Sequence, residues 1–226
     1  MPALLGFKKA NNLSVPTFIS VGATGASTGT NTVPLPAGYQ VGDLFLLVIE
    51  GDQGAAYPVT GYTDIKTFTT NSYPNDCTID VKYKIVTSSE SAPVVPDGGD
   101  HTSAAIYLFR GCSITSPINT SAAGSALLQS SPEKDGCLSV TTSLQNCLIV
   151  GAVVEQSDTV TSPFSNPVQA SLSSLVTLGK FGTTLGNGGN GIVVAGLKAT
   201  AGATGTIVFS GTAPSGRVAV TVALTA

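Results

Sequence analysis

The chain has 226 residues, of which 42% are hydrophobic and only 10% are charged, and it contains 26 glycines and 13 prolines. This composition disfavours intrinsic disorder, which requires high net charge and little apolar content. The formal net charge of −3 gives no electrostatic basis for binding nucleic acid or an anionic membrane. The surface must be built mostly from Ser, Thr, Asn and Gly, which suits packing against other protein copies.

The sequence gives no sign of membrane insertion or export. The longest apolar run near the front, residues 44–49, is far shorter than the roughly 20 residues that a membrane-spanning helix needs. The first residues, MPALLGFKKANN, place lysines after a short apolar patch, which is the reverse of a signal peptide. We therefore expect synthesis in a reducing cytoplasm.

The four cysteines show no C-x-x-C spacing, and the chain has a single histidine, so the sequence argues against a zinc site. In a cytosolic protein we expect free, partly buried thiols, and a disulfide formed later is the alternative. The sequence indicates no cofactor.

The first half of the chain reads as an arm followed by strands. Residues 1–15 are predicted to form an N-terminal arm, with Phe7, Lys8 and Lys9 as candidate contacts to a partner. The continuous apolar run 44–49 predicts a strand buried on both faces. Residues 77–86 alternate cleanly, with Ile79 and Val81 inward and Asp80 and Lys82 outward. Further strands are expected at residues 16–21, 62–68 and 104–109.

The second half repeats this rhythm after a polar stretch, residues 111–134, that we interpret as a long crossover. A second strand buried on both faces is expected at residues 147–154. The other expected strands are 136–141, 167–172, 175–181, 192–195, 206–209 and 217–224. No window shows a helical period with caps. The fold class is therefore predicted to be all-β: an antiparallel β-sandwich, jelly-roll-like, of about ten to twelve strands.

Residues 84–111 and 198–225 follow the same pattern of strand, turn and strand. Lys84 and Lys198, and Ala105 and Ala219, are separated by the same number of residues. The pattern is consistent with an internal duplication, with halves 16–112 and 136–226. Because the two buried strands need cover on both faces, we favour a single sandwich over residues 16–226 with a shared core, and two small domains are the alternative.

Two glycine motifs match known signatures by letters alone. Gly25-x-Ser27-x-Gly29 matches a nucleophile elbow, but it lies in a Ser/Thr/Gly-rich stretch with no helix after it. Gly186-x-Gly188-x-x-Gly191 matches the dinucleotide fingerprint, but a strand-like run follows where the motif needs a helix N-terminus. We interpret the second motif as a hairpin loop and predict no catalytic residues.

Two groups of ionisable residues are candidate sites. Asp97, Asp100 and His101 are the nearest approach to a metal site, and a tight turn in which Asp bonds to local backbone is the simpler interpretation. Glu50 and Glu155 each follow a buried strand, with Asp52 and Asp158 close behind. These carboxylates are expected on one rim, where paired carboxylates could cleave sugars. Polar rim loops are the simpler interpretation, since the chain has no tryptophan to stack on a sugar ring.

A recurring pattern runs through the first half of the chain. It comprises Pro36-Ala-Gly, Gly42-Asp43-Leu44, Gly61-Tyr62-Thr63, Tyr83-Lys84, Ser89-Glu90-Ser91-Ala92-Pro93-Val94, Asp97-x-x-Asp100-His101 and Phe109-Arg110-Gly111. The pattern resembles a poorly characterised group of tailed-bacteriophage structural proteins over roughly residues 16–112. That resemblance implies a virion component on the capsid surface or the tail fibres, with no catalytic residues.

From this resemblance we expect a non-enzymatic capsid decoration or cement protein. It would be a homo-oligomer, assembled into the virion in the bacterial cytoplasm, with other virion proteins and above all the major capsid protein as partners. Two alternatives remain open. One is a tail-fibre or receptor-binding module that grips host polysaccharide through loops such as residues 50–57, and the other is a glycosidase that uses the rim carboxylates.

Overall fold

The computed structural model describes residues 15–52, 56–70, 76–128, 134–210 and 216–226. Within these ranges every regular element is a β-strand, which confirms the predicted all-β class. Phe7, Lys8 and Lys9 of the predicted arm lie outside the described residues, as do residues 211–215.

The described strands number 19, more than the ten to twelve predicted. In the first half they are β1 (Thr17–Val21), β2 (Gly25–Ser27), β3 (Asn31–Thr32), β4 (Leu44–Gly51), β5 (Thr63–Thr70), β6 (Cys77–Ile85), β7 (Val94–Val95) and β8 (Thr102–Arg110). In the second half they are β9 (Ile118–Ser125), β10 (Leu127–Leu128), β11 (Lys134–Cys137), β12 (Thr141–Thr142), β13 (Cys147–Gln156), β14 (Ser165–Val168), β15 (Ser173–Thr183), β16 (Gly189–Lys198), β17 (Gly202–Ala203), β18 (Ile207–Ser210) and β19 (Arg217–Leu224). Many of the additional strands are too short to produce an alternating pattern in the sequence.

Each half of the chain builds one large antiparallel sheet. The first sheet has the order β1-β8-β4-β6-β5, and β2 extends the edge by pairing with β8 beyond β1. The second sheet has the order β15-β16-β13-β19-β9. The two orders match strand for strand when the second is read from β9 to β15, with β13 in the position of β4. The strands that correspond to β1, β8, β6 and β5 are then β9, β19, β16 and β15, in that order. The pairing of β3 with β7 likewise corresponds to that of β11 with β18. The strand order therefore repeats between the halves.

The constant residue offset proposed for this repeat is wrong in the last strand. Ala105 of β8 points into the core between the two sheets, whereas Ala219 of β19 points away from it. Because side chains alternate between faces along a strand, a slip of one residue moves a side chain to the opposite face. The two halves thus share strand order but not the simple numerical register.

The interpretation of residues 111–134 as a crossover is also wrong, because this stretch contains β9. The strand forms the edge of the second sheet and pairs with β19 along most of its length. Its sequence, INTSAAGS, lacks large apolar residues after the first position, and its side chains are mostly half-buried. An edge strand of small polar residues gives no hydrophobic period from which it could be predicted.

Three apolar clusters hold the layers together. The shared core lies between the two large sheets and includes Leu46 and Val81 from the first sheet and Val150 and Val220 from the second. A second cluster lies on the outer face of the second sheet, under the small sheet β10-β11-β18-β14. The third lies on the outer face of the first sheet, under loops and the β3–β7 pair. This cover explains why β4 and β13 are buried on both faces, as their apolar runs predicted.

Candidate functional site

The glycine motifs take the structural roles expected of them. Gly186 and Gly188 have φ of 61°, the left-handed conformation that glycine adopts readily, and β16 follows directly at Gly189. The hairpin interpretation is confirmed. Ser27 ends β2, and its Oγ accepts a hydrogen bond from the N–H of Gly29 at 3.0 Å, so this serine forms a local turn.

The three residues of the candidate metal site do not converge. Asp97 accepts a hydrogen bond from the backbone N–H of Gly99 at 3.0 Å, which is the expected turn geometry. Asp100 accepts one from the side-chain amide of Asn187 at 2.6 Å. His101 is fully buried and lies against Glu50. Among the residues that the structure describes, no group of three His, Cys, Asp or Glu side chains could hold a metal ion.

Glu50 and His101 form a buried ionisable pair at one end of the shared core. Glu50 Oε1 lies 3.2 Å from His101 Nε2, and both side chains have no exposed surface. Glu50 Oε2 and His101 Nδ1 have no hydrogen-bond partner among the described atoms. Burial raises the pKa of Glu50 to about 7, against the opposing effect of the histidine. Burial would lower the pKa of His101, but the hydrogen bond and charge of Glu50 raise it.

The buried pair also joins the two sheets. The Glu50 carboxyl from β4 packs directly against Gly189 of β16. Nearby, the side-chain amide of Gln156 approaches Asp52 at 3.4 Å. Together with the Asp100–Asn187 hydrogen bond, these contacts connect the first half to the second at this end. These three contacts hold the two sheets together at this end. The spacing of the residues in the sequence does not predict them.

The two rim glutamates do not face a common cleft. Glu50 shares its face of β4 with Val48 and points into the shared core, whereas Glu155 follows the core residue Val154 and points to the other side of the second sheet. Glu155 accepts a hydrogen bond from Asn190 at 3.0 Å and is fully buried. A glycosidase needs both carboxyl groups beside one sugar bond, so the arrangement removes the geometric basis for that alternative.

The opposite end of the first sheet carries two ion pairs. Arg110 donates from Nε and an Nη atom to the two oxygens of Asp43, at 2.9 and 2.7 Å, and also to the carbonyl of Gly38. Lys84 Nζ contacts Glu90 Oε2 at 2.5 Å. Burial alone would raise the pKa of each carboxyl group, but the hydrogen bonds from Arg110 and Lys84 lower the pKa of Asp43 and Glu90 respectively.

A pocket of about 410 Å³ opens beside the Lys84–Glu90 pair. It is lined by Thr60, Tyr62, Lys84 and the stretch 89–94. These residues include several from the recurring pattern in the first half of the sequence, namely Tyr62, Lys84 and the run from Ser89 to Val94. Residues far apart in the sequence therefore meet at one pocket, which no local signal in the chain predicted.

Comparison of the chain with protein-family models, curated proteins and solved structures finds no match in any of the three. In the part of the chain that the structure describes, there is no helix of the length and hydrophobicity needed to cross a membrane.

Proposed function

We propose that the protein is a non-enzymatic structural component of a tailed-bacteriophage virion, on the outer surface as a capsid decoration or cement protein. The proposal starts from the resemblance of residues 16–112 to such proteins. The structural observation that carries it is a side of the sandwich with few charged residues, where each sheet ends in a strand that has no further pairing partner among the described strands. A decoration protein needs such a surface because it works by contact with neighbouring subunits.

This side, the β1/β15 side, is formed by the edge strands of the two sheets, which contact one another. It exposes Ile19 and Val21 (37% each) and Val176 (53%). Strand β1 has no charged residue, and the only one in β15, Lys180, donates its amine to the carbonyl of Ser162 at 2.8 Å. Exposed sheet edges usually carry charges that block pairing with another chain. Lys180 is the one charged residue in these two strands, so this protection is sparse on the β1/β15 side, which therefore suits contact with a further protein subunit.

Irregularities limit how a partner can pair there. The β1 register shifts once and the β15 register twice. Because bulges interrupt the ladder of hydrogen bonds, an added strand would pair over a few residues only. Apolar contact through the exposed side chains then supplies much of the binding energy. We assign the partner as the major capsid protein or a second copy of this chain.

The first test asks where the protein lies in an intact particle. Cryo-electron microscopy of virions is expected to show density for the sandwich on the capsid lattice. Density confined to the tail would support the tail-fibre alternative, and absence from purified virions would overturn the proposal.

The second test charges the β1/β15 side. The double variant Val21→Lys/Val176→Lys should remain folded, since both side chains are exposed, but should lose incorporation into particles. Ile114→Lys is the matched control because Ile114 is 66% exposed and lies outside both edge strands. Normal incorporation of the double variant would contradict the assigned surface.

The predicted arm is tested separately. Deletion of residues 1–12 should weaken attachment to the capsid, because an extended arm can add a strand to a neighbouring sheet. Full occupancy of the shortened protein on virions would remove the arm from the proposal while leaving the β1/β15 side intact.

The polysaccharide alternative rests on the loop 50–57, and the two ends of that loop are buried. Glu50 and Tyr57, at the two ends of that loop, are 0% and 3% exposed, and residues 53–55 lie outside the described ranges. Side chains this buried cannot contact a polysaccharide at the surface.

A further inference from the structure

The pocket beside Lys84 and Glu90 lies apart from the β1/β15 side, and nothing in the proposed structural role uses it. Its volume of about 410 Å³ is within the range of small-molecule sites, roughly 300–1,000 Å³. The lining combines three hydroxyl side chains (Thr60, Ser89 and Ser91), an ion pair, and the apolar surfaces of Tyr62 and Pro93. Such a lining presents hydrogen-bonding groups and an apolar wall to the same ligand.

Both oxygens of Glu90 already accept hydrogen bonds within the protein, from Lys84 and from the backbone of Thr87 and Ser88, so Lys84 is the member of the ion pair with donors left for a ligand. Glu90 is 6% exposed and Lys84 is 26% exposed. Glu90 Oε1 accepts a hydrogen bond from the backbone N–H of Thr87 at 3.2 Å, while Oε2 contacts the lysine. The Lys84 ammonium also lies 6.0 Å from the centre of the Tyr62 ring. An ammonium group has three donors, and the contact with Glu90 occupies one of them.

Tyr62 places an unpaired polar group beside the pocket. Its hydroxyl is buried and has no hydrogen-bond partner among the described atoms. Buried polar groups in proteins nearly always have a partner, and an unpaired one calls for a specific explanation. Because the hydroxyl has no accessible surface, a polar ligand in the adjacent pocket would reach it only after a shift of the side chains that line the pocket.

We propose that this pocket binds a neutral saccharide unit. The hydroxyls of a sugar accept as well as donate hydrogen bonds, so they match the remaining donors of the Lys84 ammonium group. The serine and threonine hydroxyls extend this set, and Tyr62 with Pro93 can cover the apolar face of the ring. Because Lys84 and Glu90 neutralise each other, the pocket favours an uncharged sugar over an acidic one.

The second half of the chain shows that the fold does not require an open pocket here. At the corresponding end, Ser171 donates its hydroxyl to the carbonyl of Thr204. Gln169 donates its amide to the carbonyl of Thr206 at 2.7 Å. The loop before β15 and the loop before β18 are thus bonded directly to each other, whereas the equivalent loops of the first half, before β5 and β7, border the pocket.

The test is a titration of the ¹⁵N-labelled full-length protein with glucose, galactose, mannose and N-acetylglucosamine, followed by NMR. Glucuronic acid serves as the charged comparison. Saturable shifts of the amide signals of residues 89–94 are expected for at least one neutral sugar. A dissociation constant near the millimolar range is expected for a single sugar unit, which corresponds to about −4 kcal/mol.

Variants connect the binding to the named side chains. The double variant Lys84→Met/Glu90→Gln removes both charges while retaining similar shapes, and it should weaken binding about tenfold or more. Ser91→Ala tests the hydroxyl lining with little risk to folding. Ser88→Ala is the control, since Ser88 is on the same loop but outside the pocket lining.

Three outcomes would overturn the proposal. These are no saturable shift with any neutral sugar, preference for glucuronic acid, and unchanged affinity in both pocket variants. All of these readouts use purified protein, so they do not depend on where the chain lies in a virion.

Discussion

At the scale of single residues, Gly189 shows how closely the two sheets approach. A Cβ atom at this position would overlap the carboxyl group of Glu50 on the opposite sheet. Glycine is required here because the two sheets leave no room for a larger side chain, and the Glu50 side chain that fills the space is fully buried.

Replacing Gly189 with alanine should therefore destabilise the fold by about 1–3 kcal/mol, the usual cost of overpacking a core. The measurement is urea unfolding followed by circular dichroism. Gly29→Ala is the control, because a Cβ atom added at Gly29 would meet only the Ser27 hydroxyl within 4 Å, at 3.9 Å. Equal stability of the two variants would show that the sheets can separate at this end without cost.

The Glu50–His101 pair predicts that stability depends on pH. The pKa of Glu50 is about 7 in the folded protein, above the ordinary value of 4.5, so the folded state holds a proton that the unfolded state has lost. This contribution is fully present below pH 4.5 and is lost as the pH rises through about 7. The raised pKa of His101 acts in the same direction. The free energy of unfolding should fall by on the order of 2 kcal/mol between about pH 5 and about pH 8.

The variant Glu50→Gln tests the assignment of this effect. Glutamine keeps the size of the side chain but cannot titrate, so the pH dependence of the urea midpoint should become flatter. The other acids that act on the pair, Asp52, Asp100 and Glu155, remain in the variant and set the residual slope. A slope identical to that of the unmodified protein would exclude Glu50 as its origin.

At the scale of elements, the Asp43–Arg110 pair fixes the register of the two central strands of the first sheet. Leu44 and Phe109 are paired across β4 and β8, and the ion pair follows immediately beyond them. Asp43 also accepts a hydrogen bond from the backbone N–H of Gln40 at 2.8 Å, which closes the turn before β4. The Asp43 carboxylate thus links the turn before β4, the start of β4 and the end of β8.

Asp43→Asn should destabilise the protein by about 1–3 kcal/mol, because the amide cannot accept both bonds from the guanidinium group. The unfolding midpoint in urea is the measurement. Asp97→Asn is a suitable comparison, since Asp97 makes only the local bond to Gly99 among the hydrogen bonds described. A larger loss from Asp97→Asn than from Asp43→Asn would contradict the assigned role.

Elements with regular alternation or long apolar runs could be predicted from the sequence, and those without could not. β4, β6 and β13 were placed correctly because each buries one or both faces in continuous apolar clusters. Asp80 and Lys82 were correctly placed on the face away from the shared core. Both are nevertheless buried, because Asp80 bonds to Lys82 and to the backbone N–H of Tyr57. The alternation of residues along a strand does not show which outward-facing side chains a distant loop will cover.

The candidate sites were harder to predict for the same reason. In the sequence His101 stands beside Asp97 and Asp100, yet its partner in the structure is Glu50, 51 residues away. The pocket likewise depends on Tyr62 and Glu90 meeting at Lys84. Such contacts arise from strand order, which a single sequence does not specify.

At the scale of the whole molecule, each sheet depends on the other to cover its inner face. Residues 16–112 expressed alone should expose core residues such as Leu46 and Tyr107 and should aggregate or remain unfolded. Mixing with residues 113–226 during refolding should restore a native spectrum. Well-dispersed NMR signals from residues 16–112 alone would show that the first sheet is an independent domain.

The four cysteines provide a second test of whether the two sheets unfold together. Cys77, Cys112, Cys137 and Cys147 are all buried and unpaired, and burial raises the pKa of each thiol. Because the thiolate is the reactive form, a thiol reagent such as DTNB should react slowly with the native protein. In urea, the reaction should accelerate together with global unfolding. Rapid labelling of several thiols under native conditions would contradict this burial.

The position of β19 has a consequence for synthesis on the ribosome. β19 lies between β13 and β9 in the second sheet, although it is the last described strand to be synthesised. Until it emerges, β13 keeps an unpaired edge and the inner face of the first sheet lacks much of its cover. Open edges and exposed apolar faces recruit chaperones and other nascent chains. Messages truncated before the codon for Arg217 should therefore yield aggregates or degraded product, and messages that include β19 should yield soluble protein.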